Sequence, residues 1–239
     1  MLVIASKIDN YRLPITNYHR AITEANKMKK QAGFTLVEIA IVMVIIGLLL
    51  GGVLKGQEMV TNAKVKNLES DVNGITAAVY SYQDRYRALP GDDKKADRFI
   101  DITTCTNLCG DGNRKIALGT AAHAFDSTID GEESRLFWMH LRNAGLVNGD
   151  PGDQTQPTNA FGGLTGVSTT LTNDNVKLPS HFIGFTEIPK KVADIIESHG
   201  DDGNSGKGSV QGHKITASSV ADGENYNNDD QLYNLYFKL

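Results

Sequence analysis

Residues 34–54 form an uninterrupted apolar run of 21 positions that carries a single charge, Glu38. A helix of that length spans about 32 Å, close to the hydrocarbon thickness of a bilayer, so the run predicts a transmembrane helix. The pattern then changes. Lys55 and Glu58 mark the exit from the apolar phase, and Val65, Leu68, Val72, Ile75, Val79, Tyr82 and Tyr86 follow at alternating spacings of three and four. That spacing is one face of an amphipathic helix. Lys64, Lys66, Asn67, Glu69, Ser70, Asp71 and Asn73 occupy the other sides, and the helix is expected to continue from residue 34 to residue 87, ending before Pro90. Gly47, Gly51, Gly52 and Gly56 lie along it. Small residues of this kind permit close packing between helices in a membrane, or allow a helix to bend.

The rest of the chain must cover the amphipathic stripe. A short helix is expected over residues 94–100, capped by Asp92 or Asp93, and a second over 132–144, capped by Asp130 and stopped by Gly145. In the second, Leu136, Phe137, His140, Leu141 and Ala144 share a face, and the single tryptophan, Trp138, reads as core. A third helix opens at Pro189, with Val192, Ile195 and Ile196 inward and Gly200 after its end. Strand patterns occupy 181–186, 214–218 and 232–239, the last alternating as a half-buried strand. These elements predict an α+β fold in which a small antiparallel sheet packs on the amphipathic half of the long helix.

The residues just before the apolar run give it direction. Lys29 and Lys30 precede it, and positive charge stays on the cytoplasmic side, so the chain after Leu54 faces away from the cytoplasm. Glu38 is the exception inside the run. A carboxylate costs about 2.5–3.5 kcal/mol at the centre of a bilayer, and such a group usually has a partner. The local sequence KKQAGFTLVEIAIVMVIIGLLL resembles the amino-terminal signal of type IV prepilins and of the pseudopilins of type II secretion. The resemblance is specific over residues 29–54, weaker to about Pro90 and faint beyond. It implies that a prepilin peptidase in the membrane cuts between Gly33 and Phe34, that Phe34 becomes the N-methylated end, and that Glu38 pairs with the terminal amine of a neighbouring subunit. It also implies a pilin-like head, an inner-membrane assembly platform as partner, and a single-pass protein with its head in the periplasm before entry into a filament. An ordinary secretory signal has a shorter apolar region followed by a small-residue cleavage site, and none follows here. A plain anchor has no need of Glu38.

On this reading the chain divides into a leader at 1–33, a membrane and filament-core helix at 34–54, an amphipathic half-helix at 55–89 and an extracytoplasmic head at 90–239. Residues 1–27 show no periodicity, whereas Met28 stands directly before the short basic leader, so translation is expected to start at Met28. Any peptide of the uncut precursor covering residues 17–27 would refute that start. Charge follows the division. Residues 1–33 carry six Lys/Arg and two Asp/Glu, so their removal takes the formal charge from −4 to −8. An acidic chain without a basic stripe is a poor nucleic-acid partner.

Candidate chemistry in the head is sparse. Cys105 and Cys109 are the only cysteines, separated by three residues. In an oxidising compartment they close a small loop as a disulfide in preference to remaining thiols, and a lone CxxxC pair argues little for a metal site. Asp111 with Asn113, and Asp201 with Asp202, sit on glycine-bearing turns. Their oxygens suit Ca²⁺, and some pseudopilins bind calcium in their heads. Neither cluster has EF-hand spacing, and Asp, Asn and Gly also occur in turns for backbone reasons alone, so no cofactor is expected. The histidines beyond the leader (His123, His140, His181, His199 and His213) fall in unrelated contexts, with no HExxH, GxSxG or P-loop. Residues 203–208, GNSGKG, lack the P-loop frame and read as a turn. A structural filament subunit is therefore expected, minor in preference to major. A membrane-tethered adhesin or binding protein on a pilin-like anchor is the alternative, and an anchored enzyme has the least support.

Overall fold

The computed structural model describes residues 33–99, 108–116, 125–169, 180–201, 203, 205–214 and 231–239. Among the described residues three α-helices, α1 (Leu36–Tyr86), α2 (Glu133–Asn143) and α3 (Lys190–Gly200), accompany four strands, β1 (Thr165–Ser168), β2 (Phe182–Pro189), β3 (Val210–Lys214) and β4 (Leu232–Lys238). A single turn of 3₁₀-helix, Ala96–Phe99, stands where an α-helix over 94–100 was expected, and Ile100 lies outside the described residues. The reason is local. Asp93 Oδ1 accepts the Lys95 N–H at 2.9 Å, two residues on, which forms an Asx turn and not a helix cap. The strands form one antiparallel sheet in the order β1-β2-β4-β3. A long apolar N-terminal helix with a small antiparallel sheet is an α+β, pilin-like layout.

The chain divides into two units, one ending at Leu54 and the other beginning at Lys55. In the first, every described residue is exposed, Leu36 by 86% and Leu48 by 73%, and α1 is long and apolar enough to cross a membrane. In the second, the face predicted from spacing is the buried one. Val65, Leu68, Ile75, Val79 and Tyr82 join one core with Phe137 and Leu141 of α2, Ile183 and Phe185 of β2, Val192 and Ile196 of α3, and Leu235 of β4. Val72 and Tyr86 pack against it partly buried. α1 ends where Arg87 turns into the left-handed region (φ 55°), three residues before Pro90.

Four expectations need correction. α2 begins at Glu133 with Glu132 as its N-cap, so Asp130 does not cap it; Asp130 instead pairs with Arg135 at 2.8 Å, and the N-cap has no side-chain hydrogen bond. Gly200 is the last residue of α3, not the one after it. The strand placed at 214–218 runs from Val210 to Lys214, earlier by four residues, and 215–218 lie outside the described residues. β4 is not half-buried, since Tyr233, Asn234, Leu235 and Tyr236 are all buried. Its odd positions face the main core. On the other side Tyr236 meets Phe125 and Phe182 edge-on, with ring centroids 5.4 Å from each. Phe125 reaches that face across the facing glycines Gly166 and Gly184, and a Cβ on Gly184 would collide with its ring. Strand β1, four residues with no alternation in burial, was not foreseen at all.

Candidate functional site

The apolar unit begins with Gly33, Phe34 and Thr35 before the first turn of α1. Thr35 Oγ1 accepts the Glu38 N–H at 3.2 Å, and the Thr35 carbonyl accepts the Ile39 N–H at 3.3 Å. Thr35 is thus the N-cap, and Thr35-Leu36-Val37-Glu38 has the spacing of a capping box. The sequence carries this signal in plain form, within the apolar run that it opens. With the backbone of Glu38 tied to the cap, its carboxylate stands in the first turn, where the helix dipole favours negative charge. Among the described residues that carboxylate has no hydrogen-bond or ion-pair partner. A Cβ added at Gly33 would meet nothing within 4 Å, and the same holds at Gly47, Gly51, Gly52 and Gly56. Nothing among the described residues requires those positions to be small.

The head holds a separate polar cluster at the end of α1. The Tyr82 hydroxyl donates to Asp93 Oδ2 at 2.7 Å, and Arg98 pairs with the same oxygen while lying over the Tyr86 ring, 4.7 Å from its centroid. Burial pushes the Tyr82 hydroxyl pKa well above its ordinary value. His140 stacks nearly parallel to Tyr82, accepts the Gly91 N–H at Nδ1 (2.9 Å) and donates from Nε2 to the Leu108 carbonyl (3.0 Å). It thereby joins α2 to two loops. Burial holds its pKa down at about 4, against the opposing pull of the Leu108 carbonyl.

Of the cation candidates, Asp111 gathers with Asp92 and Glu133, whose carboxylate oxygens all lie within 4.8 Å of one another. Asn113 braces Asp111, donating from Nδ2 to Asp111 Oδ2 at 2.7 Å. Asp92 accepts backbone N–H groups of Gly112, Asn113 and Arg114; burial raises its pKa, and the bonds from Arg114 and Gly112 oppose the rise. Three hard oxygens are short of the six to eight that Ca²⁺ takes. Asp201 belongs elsewhere: its Oδ2 accepts the N–H groups of Ser209 and of Val210 (2.9 Å), closing the turn that leads into β3. Asp202 and Cys105 lie outside the described residues; Cys109 is disulfide-bonded.

Residues 28–54 match the family model of the prokaryotic N-terminal methylation motif, the signal of type IV prepilins and pseudopilins. The matched segment contains Gly33, Phe34, the Thr35 cap and Glu38, and stops where the apolar unit stops. No curated protein and no solved structure matches the chain.

Proposed function

We propose that this protein is a structural subunit of a type IV pilus or of a type II secretion pseudopilus, with no catalytic role of its own. The observation that carries this reading is the methylation motif at 28–54, lying on a capped, wholly exposed apolar helix whose continuation enters the core of a folded head. Prepilin peptidase hydrolyses the Gly33–Phe34 bond and methylates the new Phe34 amine. The helix holds the subunit in the inner membrane with the head in the periplasm, until an assembly platform moves it into a filament. There the apolar helices exchange lipid for copies of one another, and Glu38 answers the terminal ammonium of a neighbour, which sets register. An ammonium and a carboxylate in an apolar interior neutralise each other, whereas either alone is costly there. The head, residues 90–239, is large for a bulk repeat unit, which favours a minor pilin or pseudopilin.

The deciding experiment is mass spectrometry of the mature amino terminus. A chain that begins at Phe34, one methyl group heavier than the unmodified peptide, is the expected result. A mature chain that retains Lys29 and Lys30, or that begins downstream of the apolar run, overturns the proposal. Low copy number in sheared filaments is expected of a minor subunit.

A further inference from the structure

From residue 55 onward the sequence holds 18 Lys/Arg against 25 Asp/Glu, so the second unit is acidic. One open cavity in it, of about 790 Å³, reverses that sign. Arg87, Lys94, Lys95, Arg98 and Arg114 line it, brought together from the end of α1, the segment after Pro90 and the loop at 111–116. Its two lining carboxylates are already engaged, Asp92 with the backbone of the 112–114 turn and Asp93 with Tyr82 and Arg98. Lys95 and Arg114 make no ion pair among the described residues, and Arg87 has only an exposed contact with Asp84 at 3.7 Å. Like charges that converge on a concave surface repel one another and concentrate an attractive field for anions.

The backbone points to the same place. Three non-glycine residues among those described have positive φ, and two of them, Arg87 (55°) and Arg114 (63°), line this cavity. Left-handed backbone favours glycine, and strained non-glycine residues concentrate at sites where a particular side chain is needed. Here the side chain kept at that cost is arginine both times. Arg98, held over the Tyr86 ring and charge-paired with Asp93, forms a fixed wall of the cavity and leaves the other cations as the unneutralised ones. The volume falls within the range of about 300–1,000 Å³ that is usual for small-ligand sites.

We propose that this pocket binds a ligand carrying an oxoanion group (carboxylate, sulfate or phosphate) on a body no larger than a small saccharide, with Arg87, Lys95 and Arg114 as the recognising cations. Guanidinium groups suit such groups because their fork of N–H donors matches two oxygens at once. The test uses the full chain in detergent at low ionic strength, titrated calorimetrically with potassium phosphate, potassium sulfate and galacturonate, with glucose as the neutral control. Saturable binding of at least one oxoanion, weakened by added salt and not shared by glucose, is expected. Tighter binding of galacturonate than of the inorganic ions assigns the group to a saccharide, and the reverse order assigns it to a free anion. In the double variant Arg87→Gly/Arg114→Gly the melting temperature is expected to hold or rise, because glycine relieves the backbone, while affinity falls about tenfold or more. A merely structural role for the arginines would not separate those two readouts. Lys95→Gln, at an exposed side chain, decides the matter independently through a several-fold loss of affinity. Absence of binding by all three oxoanions, or unchanged affinity in both variants, overturns the proposal.

Discussion

Glu38 and Thr35 sit three residues apart and act on different equilibria. The Thr35 hydroxyl satisfies an N–H at the start of α1, so Thr35→Ala should weaken the first turn by about 1 kcal/mol. Circular dichroism of the detergent-solubilised chain is expected to show a small loss of helix, with the head's melting temperature unchanged. Glu38→Ala leaves the cap intact and removes only a carboxylate that has no partner inside the described chain. It is expected to insert and be cleaved normally and to fail in assembly, measured by its yield in sheared filaments. Normal incorporation of the variant would refute the register role. His140 works through the proton. Its folded pKa of about 4 lies below the ordinary value of 6.5, so between those values the unfolded chain binds the proton more readily. Stability from this residue is therefore full above about pH 6.5 and drains away as pH falls towards 4, by at most about 3 kcal/mol. His181, also lowered by burial, acts in the same direction, while Asp92, raised by burial, acts in the opposite one. The comparison that isolates His140 is urea unfolding of His140→Gln at pH 6.5 and pH 4.5, where the variant should show the shallower dependence.

At the scale of elements, α1 illustrates how one helix serves two solvents. Its spacing of three and four was legible because burial on a single face imposes a period near 3.6 residues whatever covers that face. Leu68 is fully buried, so Leu68→Ala should destabilise the head by about 2–5 kcal/mol in chemical denaturation. Leu49, 63% exposed in the apolar unit, should leave head stability unchanged when replaced by alanine. Equal losses for the two would contradict the division at Leu54. The sheet was less legible. β1 is four residues without alternation, and β4 alternates correctly on one side but is covered on the other by Phe125, which is distant in sequence. Paired glycines admit that phenylalanine, and no local pattern in either strand announces a ring arriving from elsewhere.

At the scale of the whole molecule, the core reaches from Val65 to Leu235 and, among the described residues, draws on none before Lys55. A chain beginning at residue 55 is therefore expected to be soluble and to unfold cooperatively within a few degrees of the full-length head, by calorimetry. Aggregation or a non-cooperative melt would show that the apolar unit is needed for folding. On the proposed reading, the acidic charge of that unit keeps it dispersed in water, and the apolar unit supplies the drive to associate.

The sequence by itself determined the membrane-length helix, its amphipathic continuation, the methylation motif that contains Gly33, Phe34 and Glu38, and most of the helices of the head. These are properties of neighbouring residues: hydropathy over one span, periodicity over a few turns, charge on one flank. Only the tertiary structure decided the order of the strands, the second aromatic layer around Phe125, the grouping of Asp92 with Asp111 and Glu133, the partners of His140, and the convergence of Arg87 with Arg114. Each of those joins groups far apart along the chain, and a contact of that kind is fixed by which surfaces the fold closes upon one another, which no local pattern of residue types encodes.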